Sequence, residues 1–311
     1  MQTILITGGT GLVGSSLTDA LVQKGYHVII LTRRIPEKQA KYNTSFAVWD
    51  VNKQSIDVAA VQAADHIIHL AGAGVVDKKW TSAYKKEIID SRVKSSELLV
   101  VTLKEHSNRV RSVISASAIG WYGSDKIHPS TQAGFIETDP ASKSFLGETC
   151  RLWEESIEPV TLMNKRLVKL RTGIVLSNDG GALAEFKKPL RFGIAAILGS
   201  GKQIVSWIDM DDLCRMFIDA IENENISGTY NAVAPIPVSN KTLILCLAKI
   251  ISRKFFIPVH IPPFILKLLL GQRSIEVLKS TCVSCEKIQE TGFIFLHPSI
   301  EDALQQLCKA K

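Results

Sequence analysis

The start of the chain alternates between short apolar runs and longer amphipathic stretches. Thr3–Thr7 is apolar and β-branched, Leu12–Lys24 has apolar residues at helical spacing, and Gly25 ends that helix before a second strand at His27–Thr32. A strand, a turn, a helix and a strand within about 30 residues match the length of one βαβ unit. The pattern therefore predicts that the chain opens with a pair of parallel strands joined by a helix.

The same alternation continues to about residue 176. It indicates an α/β fold, a Rossmann-type doubly wound parallel sheet with a smaller C-terminal lobe that covers the substrate. We expect residues 1–176 to form the core, which also receives residues 205–232, and residues 177–204 and 233–311 to form the lobe and a C-terminal extension. The further strands are predicted at Phe46–Trp49, His66–Ala71, Ser112–Ala116 and Arg166–Arg171, and the helices at Ala83–Glu105 and Phe145–Glu158.

The later part of the chain has a different pattern. Turns are predicted at residues 178–181 and 199–201, and residues 205–212 are predicted to lead into a helix capped by Asp209 or Asp211. After Pro235 the pattern predicts helices with proline-rich connections. Ligands of open α/β sheets bind outside the carboxyl ends of the strands, so this later material is well placed to cover a substrate.

Three glycines follow the first strand at intervals of three residues: Gly8, Gly11 and Gly14. In a dinucleotide site, such glycines make the tight turn, admit the pyrophosphate to the backbone and let helix and strand pack closely. Leu12 and Val13 lie between them at the start of the helix, where free N–H groups favour anions. The alternative is a glycine-rich turn that only reverses the chain, but the flanking strand and helix favour a cofactor site.

Composition narrows the class of protein. The 311 residues carry a net charge of +7, but the lysines and arginines are spread along the chain, so no nucleic-acid partner is expected. The six cysteines are scattered, and Cys282 and Cys285 lack the second pair that a zinc site needs, so no metal is expected. Without a recognisable signal peptide or membrane span, the sequence predicts a cytoplasmic protein with reduced thiols and no membrane partner.

Six motifs occur in an order typical of one protein family. Together they resemble the extended short-chain dehydrogenase/reductases, and more narrowly the atypical branch called the epimerase family proteins, over essentially the whole chain. The motifs are Thr7-Gly-Gly-Thr-Gly-Leu-Val-Gly14, His69-Leu-Ala-Gly-Ala73, Ser115-Ala-Ser-Ala-Ile-Gly-Trp-Tyr-Gly123, Arg171-Thr-Gly-Ile-Val-Leu176, Ser206-Trp-Ile-Asp-Met-Asp-Asp212 and Asn231-Ala-Val-Ala-Pro235.

The resemblance implies a nicotinamide cofactor, and charge indicates which one. The second strand ends at Thr32, and Arg33 and Arg34 follow where an NAD-selective site usually has an acidic residue. Guanidinium groups suit a 2′-phosphate, so the site is predicted to prefer NADP(H). The alternative is that both arginines are simply solvated at the end of a strand.

The resemblance also implies the remaining cofactor contacts. Asp50 is expected near the adenine, and Leu70, Ala71 and Gly72 on the adenosine side. Glu87, Arg92 and Val175 are expected to line the nicotinamide half, although Glu87 and Arg92 could also form a surface ion pair. Ser115 is assigned to the cofactor site as well.

The catalytic residues depart from the wider family. That family carries Tyr-x-x-x-Lys on the helix after the serine strand, whereas here Phe145 or Leu146 takes the place of the tyrosine and Thr149 or Cys150 that of the lysine. Neither Phe nor Leu can donate a proton.

The resemblance makes Ser117 the first choice for the substrate-orienting serine, with Ser115 second. Tyr122, Cys150 or a bound water could supply the missing proton. Each of these side chains also has a structural alternative: satisfying backbone groups for the serines, wedging a loop for Tyr122 and packing for Cys150.

Two functions remain open at this stage. The first is an NADP(H)-dependent carbonyl reductase or sugar-nucleotide epimerase that acts on a small-molecule substrate. The second is a non-catalytic NADPH-sensing protein that a partner recognises, which the loss of the Tyr-x-x-x-Lys pair favours. RNA binding on the same scaffold rests only on the basic charge. The sequence indicates neither the substrate nor the oligomeric state.

Overall fold

The computed structural model describes residues 1–37, 41–125, 134–251 and 255–309. Its strands are β1 (Thr3–Thr7), β2 (His27–Thr32), β3 (Thr44–Asp50), β4 (Ser55–Ile56), β5 (His66–His69), β6 (Ser112–Ala118), β7 (Arg166–Thr172), β8 (Ile174–Ser177), β9 (Ile194–Leu198), β10 (Ile204–Val205), β11 (Trp207–Asp209), β12 (Gly228–Ala232), β13 (Val238–Ser239) and β14 (Ile257–Ile261). Its helices are α1 (Leu12–Gln23), α2 (Val58–Ala63), α3 (Ser82–Glu105), α4 (Phe145–Ile157), α5 (Gly181–Leu190), α6 (Met210–Glu222), α7 (Asn240–Ile251), α8 (Pro263–Leu270), α9 (Ser274–Leu278), α10 (Glu286–Gln289) and α11 (Ile300–Lys309).

An eight-stranded sheet in the order β12-β7-β6-β5-β1-β2-β3-β4 forms the centre of the molecule. Its neighbouring strands are parallel, except that β4 runs antiparallel to β3. Apolar side chains cover both faces, which explains why β1 is buried at every position. The predicted doubly wound α/β sheet is confirmed.

Helices pack on both faces of this sheet. One apolar cluster joins β1, β2 and β7 to α1 and α6, and a second joins the opposite face to α2, α3 and α4. A third cluster lies among residues 176–308 and joins β9 and the indole of Trp207 to α5, α7 and α11. This third cluster gives the later part of the chain an apolar core of its own.

Residues 279–297, which we call the strap, tie the C-terminal part to the carboxyl end of the sheet. Their hydrogen bonds run from Lys279 Nζ to Tyr122 O (3.3 Å), from Ser280 Oγ to Asp125 Oδ2 (2.6 Å), from Phe135 N to Cys282 O (2.8 Å), from Asn231 Nδ2 to Ser284 O (3.0 Å) and from Leu296 N to Asp212 Oδ1 (2.8 Å).

The expectation of helices alone after Pro235 was wrong. Ile257–Ile261 forms β14, which pairs in parallel with β9, and Val238–Ser239 pairs with β10. Pro258 lies within β14 because an edge strand needs few backbone N–H donors. Of the two proposed caps of the helix after Val205, Asp209 is the N-cap. No helix within the described ranges is long and apolar enough to cross a bilayer.

Candidate functional site

The glycine turn after β1 has no room for side chains at two of its three positions. Gly8 has a φ of +71°, and a Cβ there would lie 2.9 Å from the Leu70 carbonyl carbon. A Cβ at Gly14 would lie only 2.2 Å from the oxygen of Gly8. The turn, the end of β5 and the first turn of α1 therefore pack backbone to backbone.

Gly11 has a different role. It is the N-cap of α1, its backbone is extended (φ −80°, ψ 177°), and it offers no side chain to cap the free N–H groups. The first-turn N–H groups of a helix have no partner within the helix, so an anion can bind there. A cavity of about 510 Å³ opens at this point, with Gly11, Leu12, Gly180 and Gly181 among its walls.

The predicted residues at the ends of β2 and β3 lie at the same edge of the sheet. Arg33 and Arg34 are exposed, and neither forms an ion pair with a described carboxylate. The Thr32 hydroxyl donates to the Arg34 carbonyl at 2.9 Å, which holds the first turn after β2. Asp50 turns back on its own backbone, since its Oδ1 accepts from the N–H groups of Asn52 and Lys53 at 3.0 and 3.2 Å.

A buried cluster of hydrogen-bonded polar groups fixes the backbone at the end of β5. The Thr7 hydroxyl accepts from the N–H groups of Leu70 and Ala71, at 3.1 Å each, and lies 2.7 Å from His69 Nδ1. Burial lowers the pKa of His69 to about 3, so this imidazole is neutral and structural. The cluster positions the backbone of residues 70–72 opposite the glycine turn.

Arg92 is a half-buried cation on α3. Its guanidinium donates to the carbonyls of Ala73 and Ile88, at 3.0 Å each, and lies 4.9 Å from the centre of the Trp153 ring. A Cβ on Gly72 would lie 2.9 Å from Arg92 Cζ. No described carboxylate pairs with Arg92, and burial lowers the pKa of its guanidinium. Glu87 pairs instead with Lys78, at 3.4 Å.

The face of α4 that meets the strand end carries no proton donor of the family type. A Cβ on Gly120 would lie 3.2 Å from Leu146 Cβ and 3.5 Å from Cys150 Sγ. Phe145, by contrast, packs edge-on against Trp80, with their ring centres 4.9 Å apart. Leu146 and Cys150 are therefore the pair, four residues apart, that faces residues 119–121. Burial raises the pKa of the Cys150 thiol to about 12.

Ser117 belongs to a buried ion-pair network. Its hydroxyl donates to Glu154 Oε1 at 2.6 Å. Arg171 binds the same carboxylate through two nitrogens, at 2.8 and 3.0 Å, and both charged side chains are about 95% buried or more. Ser115, on the same face of β6, donates to the carbonyl of Ala116 at 3.1 Å.

Tyr122 completes that network. It is fully buried, its hydroxyl donates to Asn231 Oδ1 at 2.7 Å, and it accepts from Arg171 at 3.0 Å. Its ring stacks on Phe135, with their centres 5.0 Å apart. Burial raises the pKa of Tyr122 to about 12, although the Arg171 charge opposes that shift. The phenol is therefore a weak acid that already has hydrogen-bond partners.

The structure thus gathers most of the predicted positions at one edge of the sheet. Gly8, Gly11, Leu12, Val13 and Gly14 follow β1, and Thr32, Arg33, Arg34, Asp50, Leu70, Ala71, Gly72 and Ser117 lie at or just beyond the ends of β2, β3, β5 and β6. Val175 lies on β8, beside Ile208 of β11, and Glu87 and Arg92 lie on α3.

The network partners of Ser117 and Tyr122 were not among the residues predicted from the sequence. Glu154 lies on α4 and Arg171 on β7, and Asn231 lies on β12. Arg171 could have indicated them, because it lies in an apolar strand and a buried strand rarely carries an arginine without a partner.

Comparison with known proteins identifies the family. Residues 4–145 match the NAD dependent epimerase/dehydratase family, and residues 261–307 match a domain of unknown function, DUF1731. The chain is 35% identical over 99% of its length to Epimerase family protein SSP1921 of Staphylococcus saprophyticus, of which it covers 99%. The chain belongs to the epimerase family. A second member, SH2119 of Staphylococcus haemolyticus, is 33% identical, with full coverage of both chains.

Solved structures of similar proteins have the same fold. Human epimerase family protein SDR39U1, crystallised with NADPH, superposes over 100% of both chains with a TM-score of 0.85 at 24% identity. The nucleoside-diphosphate sugar epimerase of Corynebacterium glutamicum has a TM-score of 0.77 and 31% identity, covering 99% of this chain and 58% of the other. UDP-glucuronic acid 4-epimerase of Bacillus cereus, crystallised with NAD, has a TM-score of 0.76 at 20% identity, covering 99% of both chains.

Proposed function

We propose that this epimerase-family chain binds NADP(H) at the glycine turn and acts on a small carbonyl or alcohol substrate. The observation that carries the proposal is the crowded turn itself, in which Gly8 and Gly14 have no space for a Cβ while Gly11 leaves the start of α1 uncapped. Backbone packed so closely beside free N–H groups fits a pyrophosphate. The NADPH in the crystal structure of SDR39U1 supports the same cofactor class.

The unpaired arginines support the preference for NADP(H). Arg33 and Arg34 are exposed beside the end of β2, where they would bind a 2′-phosphate with charge-assisted hydrogen bonds. Arg92, half-buried and without a partner among the described carboxylates, would hold an oxygen of the nicotinamide half. We propose that the other predicted positions, Asp50, residues 70–72, Glu87, Ser115 and Val175, line the same cofactor.

The expected chemistry is slow. A bound nicotinamide would exchange a hydride with a carbonyl carbon of the substrate. Leu146 faces the strand end where a phenol would deliver the accompanying proton, and a missing general acid typically costs about a hundred- to ten-thousand-fold in rate. Ser117, Tyr122 and Cys150 remain the candidate catalytic residues, but each must leave its buried contacts to reach a substrate.

A cofactor titration with a matched variant tests the binding proposal. We expect the wild-type chain to bind NADPH more tightly than NADH, and the double variant Arg33→Ala, Arg34→Ala to lose about tenfold or more in NADPH affinity while its NADH affinity is unchanged, because each lost charged hydrogen bond costs about 1.5–3 kcal/mol. Arg191→Ala, at an exposed arginine after α5, serves as the control. Equal affinity of the wild type for both cofactors would contradict the preference.

The catalytic proposal is tested separately. Stopped-flow absorbance of the NADPH complex, mixed with aldehydes, ketones and nucleotide sugars, should show slow oxidation by at least one of them. Ser117→Ala and Tyr122→Phe together should abolish that oxidation, with circular dichroism confirming that the fold is kept. Turnover that survives this double substitution would show that the assigned roles are wrong.

A non-catalytic NADPH-sensing role is the second candidate. The observation that favours it is the engagement of Ser117 and Tyr122 in the buried network around Glu154 and Arg171. A cofactor that binds one conformation better than another shifts the population that a partner recognises. Affinity capture with and without NADPH should then recover different partners, and identical partner sets would count against this role.

A further inference from the structure

One buried carboxylate oxygen lacks a hydrogen-bond partner. Asp209 ends β11 and caps α6, and its Oδ1 accepts from the N–H of Asp211 at 2.8 Å. Its other oxygen, Oδ2, is buried without a partner, and the whole residue is only 2% exposed. A buried carboxylate oxygen without a donor or cation is costly, so this atom calls for a ligand.

The strap positions the imidazole of His297 close to the Asp209 carboxylate. Asp212 is fully buried, and its carboxylate accepts from the N–H groups of Leu296 at 2.8 Å and of His297 at 2.9 Å. These bonds fix the backbone of His297 beside the first turn of α6. One potential ligand atom from each of Asp209, Asp211 and His297 lies within 4.8 Å of the other two.

Helix electrostatics explain only part of this cluster. Carboxylates are stabilised at a helix N-terminus, which accounts for Asp211 and for Oδ1 of Asp209. The same effect gives no partner to Oδ2. It also does not explain why the strap brings an imidazole to two carboxylates.

We propose that Asp209, Asp211 and His297 bind a divalent metal ion, with Zn²⁺ as the best fit. Imidazole and carboxylate ligands together suit zinc better than the all-oxygen sites of calcium or magnesium. Ligands of a tetrahedral zinc ion with bonds of about 2.1 Å lie about 3.4 Å apart, so a side-chain rotation that moves the exposed Asp211 carboxylate by about an ångström closes the site.

The surroundings match those of a metal ligand. A coordinating carboxylate usually has its second oxygen hydrogen-bonded, as Oδ1 of Asp209 is to the Asp211 N–H. Asp211 is exposed, which leaves space for water to complete the coordination. The bound ion would join α6 to the strap, and so would stabilise the attachment of the C-terminal part to the sheet.

Zinc titration of the full chain tests this proposal. The purified protein is stripped with a chelator, and Zn²⁺ is titrated in competition with a chromophoric chelator. We expect one equivalent to bind, and the variants His297→Gln and Asp211→Asn each to lose about tenfold or more in affinity. Zinc should also raise the unfolding temperature of the wild type but not that of His297→Gln. Asp209 is left unchanged because it caps α6.

Matched variants separate this site from the thiols. His106→Gln and Glu97→Gln change an exposed imidazole and an exposed carboxylate on or next to α3 and should bind zinc like the wild type. Cys282→Ser and Cys308→Ser should also retain binding. Zinc that is lost in a cysteine variant but kept in His297→Gln, or a wild type that binds no more zinc than His297→Gln, would overturn the proposal.

Discussion

At the scale of single residues, substitutions at Gly11 and Gly14 can distinguish cofactor binding from folding. A Cβ at Gly14 would overlap two backbone atoms, at 2.2 Å from Gly8 O and 2.6 Å from Gly9 Cα. A Cβ at Gly11 would lie 3.3 Å from Gly8 O, in a conformation that alanine can adopt. Gly11 is therefore open toward solvent, while Gly14 is enclosed by backbone.

We predict different outcomes for the two alanine variants. Gly14→Ala should lower the free energy of unfolding by at least about 3 kcal/mol, because the backbone must move to admit the methyl group. Gly11→Ala should change it by less than about 1 kcal/mol, yet weaken NADPH binding by about tenfold or more, since its methyl group would lie where the phosphates approach. Urea unfolding and NADPH titration measure both quantities.

Gly123→Ala is the control for this comparison. A Cβ at that position would lie an ordinary 3.6 Å from Ser142 Oγ, so neither stability nor NADPH affinity should change much. Wild-type NADPH affinity in Gly11→Ala would contradict a phosphate site at the start of α1.

At the scale of elements, one buried ion pair connects α4 to β6 and β7. Glu154 of α4 binds Arg171 of β7 with two hydrogen bonds and accepts a third from Ser117 of β6. Removing one partner of a buried pair leaves the other charge without compensation, at a cost of about 3–5 kcal/mol. Exposed pairs contribute only about 0–1 kcal/mol.

Glu154→Gln should therefore destabilise the chain by about 3–5 kcal/mol, whereas Glu158→Gln should cost less than about 1 kcal/mol. Glu158 is the matched control, since it lies just beyond α4, pairs with Lys169 at 2.6 Å and is 52% exposed. Chemical unfolding of both variants makes the comparison. Equal, small effects would mean that the pair does not join these elements.

Other elements show how much of the fold the sequence could predict. β1, β2 and α1 were predictable because their apolar spacing is local and the glycine turn separates them. β14 was not, because Pro258 suggests a proline-rich connection, and its pairing with β9, some 60 residues earlier, makes the segment a strand. The pairing of Ser117 with Glu154 is equally non-local, being 37 residues apart. Such contacts depend on how the elements pack, which apolar periodicity does not specify.

At the scale of the whole molecule, the strap connects the C-terminal part, with its third apolar cluster, to the central sheet. The hydrogen bonds of the strap to Tyr122, Asp125 and Asp212 join the third cluster to the apolar clusters on the central sheet. If these contacts hold the two parts together tightly, the chain unfolds as one unit.

Leu304 of α11 provides a test of that coupling. It is fully buried in the third cluster, away from the glycine turn, so Leu304→Ala should lower the free energy of unfolding by about 2–5 kcal/mol. With coupled parts, calorimetry should show a single transition at a lower temperature, and NADPH should raise it, because a ligand at about 100 times its Kd adds about 2.7 kcal/mol to the whole folding unit. Leu268→Ala, at a leucine that is 82% exposed, should leave the transition unchanged. Two separate transitions, of which NADPH moves only the upper one, would instead mean that the part built on the third cluster folds independently of the central sheet.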